Sequence, residues 1–138
     1  MEADSCVASG RAPLGGNFNL TLNKSIDCSN PEHHLHEAAT AALRQIMREH
    51  DLIDLWQHFH PGDQEGTYVA RFHGSWARLD YWLATPDICG LITKVTHLPR
   101  TLSDHSPVLI TLVPPHYKCK RYRDTGSKAP FKAHQCPC

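Results

Sequence analysis

The chain has 138 residues, 41% of them apolar and 20% charged, with 8 glycines, 10 prolines and a formal net charge of zero. That length and balance predict one domain with a buried core, and they exclude a disordered chain or a coiled coil. The longest apolar run, over 108–113, contains Thr111 and is too short to cross a bilayer.

Residues 1–6 carry acid where a secretory signal carries base, so an intracellular place, nuclear or cytoplasmic, is expected. Residues 1–13 have no period and read as an irregular start. Gly15-Gly16 reads as a turn, and the stretch to Asn30, rich in Asn, Ser, Thr and Lys, reads as loop. Asn30-Pro31-Glu32 supplies a helix start, with asparagine as cap and proline at the first helical position. Leu35, Ala39, Ala42, Leu43, Ile46 and Met47 then form one stripe of 3.6-residue period, with Glu37, Arg44, Gln45, Arg48 and Glu49 opposite. The spacing predicts a helix over 33–50. Residues 51–59 read as a further short helical turn, stopped by His60-Pro61-Gly62.

After Gly62 the period changes to two, which predicts strands over 67–71 and 77–84. In the second strand Arg78, Asp80 and Trp82 are expected on one face and Leu79, Tyr81 and Leu83 on the other, with Thr85-Pro86-Asp87 ending it. A third strand is expected over 91–98 and a fourth over 108–113, apolar enough to be covered on both sides, before Pro114-Pro115 closes the ordered part. The predicted fold class is α/β: one helix covering a mixed, mainly antiparallel sheet.

The neutral balance hides an asymmetry. Residues 1–115 hold 8 Lys/Arg against 13 Asp/Glu, whereas residues 116–138 hold 6 against 1, clustered in Lys118, Lys120, Arg121 and Arg123. A basic tail of this kind reads as a solvated extension or a nucleic-acid contact. Six cysteines stand at 6, 28, 89, 119, 136 and 138 without a Cys-x-x-Cys, so no disulfide framework is expected. His33-His34-Leu35-His36 places only 33 and 36 on one helix face, and Cys119, His134, Cys136 and Cys138 lack the spacing of a zinc finger or ribbon.

Four places concentrate polar residues near predicted strand ends: Gly15-Gly16-Asn17-Phe18-Asn19, Thr67, Arg78-Leu79-Asp80, and Ser103-Asp104-His105-Ser106-Pro107. Singly, each reads as turn material or a same-face surface pair. Together and in this order they resemble the endonuclease/exonuclease/phosphatase superfamily, the DNase I-like and apurinic-endonuclease-like proteins. Within that superfamily they resemble the endonuclease domain of LINE-type (non-LTR) retrotransposons. The matching run covers 14–113 and includes Asp51-Leu52-Ile53-Asp54, His60-Pro61, Thr67-Tyr68, Trp76-Ala77-Arg78-Leu79-Asp80-Tyr81 and Ser103-Asp104-His105-Ser106-Pro107-Val108. Residues 1–13 and 114–138 fall outside it.

The resemblance implies part of a DNase I-like α/β sandwich, its carboxy-terminal half, and a metal-assisted hydrolysis of DNA phosphodiesters. Asp80 would hold the tautomer of His105 and stabilise its imidazolium. Asn19 would donate to a phosphoryl oxygen, and Asp104 would stand near Mg²⁺ or Mn²⁺. Thr67 and Ser103 would hold the site or contact the nucleic-acid backbone, and Arg78 would bind phosphate or DNA. Two departures lower the expected activity. Asn17 stands where the family has an aspartate, and an amide cannot take up the proton of attacking water, a loss on the order of 10²–10⁴ in rate. The family's metal-binding glutamate has no counterpart, because Glu32, Glu37, Glu49 and Glu65 match no such motif. Without a partner sheet, Leu79, Tyr81, Leu83 and Leu109 are expected to form an exposed apolar face that promotes self-association. The rival expectation is a non-catalytic fragment that binds nucleic acid through residues 116–138.

Overall fold

The computed structural model describes residues 12–31 and 36–113. The irregular start before them, His33-His34-Leu35, and the basic tail with Cys119, His134, Cys136 and Cys138 lie outside the described residues. In chain order the elements are β1 (Leu14–Asn17), α1 (Glu37–Glu49), β2 (Ile53–Asp54), α2 (Leu55–Phe59), β3 (Tyr68–Val69), β4 (Trp76–Ala77), β5 (Asp80–Ala84), α3 (Pro86–Cys89), β6 (Ile92–His97) and β7 (Val108–Leu112). The strands form a three-stranded sheet β1-β5-β2 and two ribbons, β3-β4 and β6-β7. Every pairing is antiparallel. The α/β class is therefore as expected, but three small sheets replace the single one.

The Gly15-Gly16 turn is corrected to a strand. Gly15 pairs with Trp82 in the β1–β5 register, and a Cβ at Gly15 would come within 2.5 Å of the Trp82 ring. Close packing of an indole, not a chain reversal, requires glycine here. The helix start is corrected as well. His36 occupies the N-cap of α1 and makes no side-chain cap bond. Among the described residues of the predicted stripe only Leu43 is buried, joined by Thr40, whose hydroxyl donates to the Thr21 carbonyl.

Asp54 caps α2 by accepting from the backbone of Trp56 and Gln57. The helix α3 was not foreseen: Thr85-Pro86, read as a strand end, also has the cap-then-proline order that opens a helix.

Two apolar clusters form the core. Leu55, Trp56, Ala84, Cys89, Ile92 and Val95 join α2, β5, α3 and β6. Leu20, Leu22, Leu43, Tyr81 and Leu83 join the loop after β1 to α1 and β5. Tyr81 and Leu83, expected to lie uncovered, are 1% and 0% exposed. Leu20 and Leu22, set in a polar loop, fold over them. Strand β7 departs the other way: Leu109 and Leu112 are exposed, so its apolar run is covered on one side only.

Arg78 lies at the centre of this arrangement. Residues 78 and 79 belong to neither β4 nor β5, so strict alternation fails and the Arg78 guanidinium sits 4.4 Å over the Tyr81 ring. It is 1% exposed. Its Nε donates to Asp27 Oδ1 at 2.9 Å, its Nη1 to Asp54 Oδ1 at 2.9 Å and its Nη2 to Asp54 Oδ2 at 2.6 Å. Its backbone N–H donates to the Asp27 carbonyl at 2.7 Å. Burial raises the pKa of Asp27, which Arg78 partly offsets. Burial is the largest single influence and opposes the charge of Arg78, but the attractions of Asp54, Tyr81 and Asp27 together exceed it and the guanidinium holds its proton more firmly. The Tyr81 hydroxyl donates to the Arg78 carbonyl at 2.7 Å and accepts from Leu22 N–H at 2.9 Å, and burial pushes its pKa up.

Truncating Arg78 to alanine leaves two carboxylates, one of them fully covered, without their cation. Breaking a buried pair in this way costs about 3–5 kcal/mol. Urea unfolding at pH 7 is expected to show that loss for Arg78→Ala, with Arg78→Lys between it and the parent because an ammonium lacks the two-pronged geometry. A loss below about 1 kcal/mol, the level of an exposed pair, contradicts the account.

Candidate active site

Three segments meet at one end of β5. Asn17, the last residue of β1, pairs directly with Asp80, the first of β5. Residues opposite one another in an antiparallel ladder project from the same face. Beyond the ladder, Phe18 N–H donates to the Leu79 carbonyl at 2.9 Å. The Asn17 side-chain oxygen accepts from Asn19 N–H at 2.9 Å, an Asx turn that lets Asn19 adopt φ 52°. Asn19 is exposed there.

The third segment is the approach to β7. Val69 N–H donates to the Asp104 carbonyl at 3.2 Å and Ser106 N–H to the Thr67 carbonyl at 2.6 Å, while Tyr68 and His105 form an isolated bridge. The Ser103 hydroxyl accepts from His105 N–H at 3.0 Å and reaches Asp104 Oδ1 at 3.5 Å. This local bonding turns the His105 ring toward β5. Its Nδ1 lies 2.7 Å from Asp80 Oδ2, with side-chain exposures of 28% and 21%. An ionised carboxylate only accepts, so Nδ1 carries the proton and Nε2 is the basic nitrogen. The Tyr68 ring stands 5.2 Å from the imidazole. That aromatic wall went unassigned in the sequence although it follows Thr67 directly.

The structure thus brings together Asn17, Asn19, Asp80, Ser103, Asp104 and His105 along these segments. Two expected contacts with nucleic acid are corrected. Arg78 is buried and its guanidinium is engaged by Asp27 and Asp54, so it is not free to meet a phosphate. Thr67 is 0% exposed. Its hydroxyl accepts from Leu79 N–H at 3.0 Å and Asp80 N–H at 3.1 Å, so Thr67 braces the start of β5 from inside.

The expected Mg²⁺ or Mn²⁺ ligand set is not assembled by these residues alone. Among the described residues no three His, Cys, Asp or Glu side chains are grouped to hold a metal ion. Asp104 is the carboxylate next to the histidine in sequence, and Asp80 is engaged with His105.

No family model matches the sequence. Solved structures similar to the chain include two of the protein NExo. One is the 3′ phosphatase NExo from Neisseria bound to a product DNA hairpin: TM-score 0.65, 22% identity, covering 75% of this chain and 46% of that one. The other is the 3′-5′ exonuclease NExo from Neisseria meningitidis: TM-score 0.66, 22% identity, covering 75% of this chain and 45% of that one.

Thr67→Val keeps the shape of the side chain but leaves two covered N–H groups without an acceptor. The expected loss is on the order of 1–3 kcal/mol, with Thr67→Ser close to the parent, both read from thermal or urea unfolding. A valine variant as stable as the parent would show that the hydroxyl braces nothing. The chain spans less than half the length of the two NExo structures, and the described residues adopt part of a DNase I-like α/β fold.

Proposed function

We propose that this chain is part of a DNase I-like phosphodiesterase acting on DNA, with the Asp80–His105 pair as its reacting centre. The observation that carries the reading is the 2.7 Å bond between His105 Nδ1 and Asp80 Oδ2, beside the turn that bears Asn17 and Asn19. Hydrolysis of a phosphodiester builds charge on the phosphoryl oxygens, and a positioned imidazole stabilises it or moves a proton there. Asp80 orients the ring. The exposed amide of Asn19 is a neutral donor for a phosphoryl oxygen, and Asp104 offers a negative group to a divalent cation carried by the substrate.

Asn17 sets the level of activity. Its side chain shapes the turn but cannot accept a proton from water at neutral pH, so this centre is weak or silent. The order of the motifs supports an origin in a LINE-type retrotransposon endonuclease. Action on DNA goes with an intracellular place, nuclear or cytoplasmic, and exposed Leu109, Leu112 and Val113 give self-association a surface. A second reading is favoured by the same Asn17: a non-catalytic DNA-binding fragment that holds DNA through the basic residues of 116–138.

Nicking of supercoiled plasmid in Mg²⁺, with a chelator control, separates the two. Asn17→Asp restores a proton acceptor in a turn that aspartate also forms, and it is expected to raise nicking by about 10²–10⁴. His105→Ala in the Asn17→Asp background is expected to abolish it. No gain from aspartate, or nicking that survives loss of the histidine, contradicts the catalytic reading. DNA retention that vanishes on removing 116–138, without nicking in any variant, supports the second.

A further inference from the structure

Tyr68 stands directly opposite His105 in the short bridge between β3 and the approach to β7. The backbone bonds of that bridge, Val69 N–H to the Asp104 carbonyl and Ser106 N–H to the Thr67 carbonyl, flank the pair. Tyr68 and His105 are therefore an antiparallel pair of the kind that exchanges no backbone bond, whose side chains approach most closely. The two rings lie 5.2 Å apart between centroids, with 48° between their planes. Across the other edge of β3, Tyr68 faces Ala77, and Ala77 in turn bridges to Cys28. Residues opposite one another project from the same face, so His105, Tyr68, Ala77 and Cys28 form one row across the strands.

The methyl group of Ala77 fills little of that row, and a cavity of about 680 Å³ opens there. Tyr68, Ala77, Cys28, Ser29 and His73 are among its walls, whereas His105 is not. The phenol ring thus stands between the cavity and the imidazole. Beyond the imidazole lies Asp80, the two side chains being 28% and 21% exposed. A hydrogen bond between imidazole and carboxylate weakens as water reaches it, because water competes for donor and acceptor and screens their charge.

We propose that Tyr68 is a positioning residue: its ring keeps the water of this cavity off the Asp80–His105 bond and so holds His105 in one tautomer. The role rests on that pair being the reacting centre. The ring acts through the imidazole, by cover and contact, and its hydroxyl takes no part. Removing the ring joins the cavity to the site. Water then offers the His105 Nδ1 proton a second acceptor, and the imidazole loses the single orientation that presents Nε2 to a phosphoryl oxygen.

Two measurements on the full chain read orientation and rate separately. In NMR at neutral pH, the slowly exchanging His105 Nδ1 proton of the parent is expected to be lost in Tyr68→Ala, where the second tautomer appears. Tyr68→Phe, which keeps the ring, is expected to retain it. In plasmid nicking with Mg²⁺ in the Asn17→Asp background, Tyr68→Ala is expected to lower kcat by up to about 10²-fold with KM little changed. Tyr68→Phe is expected to recover that rate. An Nδ1 proton as well protected in Tyr68→Ala as in the parent overturns the proposal. So does a loss confined to KM, which would make Tyr68 a DNA contact. A parent imidazole that already averages both tautomers overturns the Asp80–His105 pair itself, and the proposal with it. Should Asn17→Asp not nick, the catalytic reading fails and the NMR comparison decides the shielding by itself. Should Tyr68→Ala not fold, Tyr68→Leu, which lacks the flat ring, is read in its place with the same outcomes.

Discussion

The structure depends on the one cation that is buried among the described residues. Arg78 is covered, bonded to Asp27 of the loop after β1 and to Asp54 at the start of α2, and stacked on Tyr81 of β5. Three stretches far apart in sequence are thereby fixed to one point. Asp54 also caps α2, and Asp27 closes its own turn by accepting from Asn23 N–H, so both carboxylates have structural work at each end. A buried ion pair is not by itself a large source of stability. Here it ties loop, helix and strand to one point, with every guanidinium nitrogen bonded to a carboxylate.

From that point the site follows by short steps. Arg78 and Leu79 lead into Asp80, and Thr67 holds the backbone of Leu79 and Asp80. The same Thr67 accepts from Ser106 through its carbonyl, so one residue sets both sides of the His105–Asp80 bond. On the other edge of β5, β1 delivers Asn17 in register with Asp80. The geometry for holding a phosphate and the chemistry for activating water are thus separable. The first needs the ladder and Thr67, whereas the second needs a proton acceptor where Asn17 stands.

Much of this was legible in the sequence, and the exceptions have physical causes. The 3.6 period of residues 39–47 predicts α1 correctly, but periodicity reports which face is apolar and not what covers it, and Ile46 remains exposed. Gly15-Gly16 reads as a turn because its partner, the Trp82 ring, is 67 residues away in the chain. Alternation places Arg78 beside Asp80 only if the strand is continuous, and the break at 78–79 turns it inward. The pairing of Asp80 with His105 follows from motif order, whereas the stacking of the His97 and His60 rings on Trp56 has no local signal. It arises only when α2 and β6 pack together.

The central claim is that His105 is held by Asp80 in one tautomer. ¹⁵N NMR of the imidazole at neutral pH tests it most directly. The account predicts a His105 Nδ1 that carries the proton, protected from exchange in the parent and lost in Asp80→Ala. An imidazole that averages both tautomers in the parent, indifferent to the loss of Asp80, contradicts it.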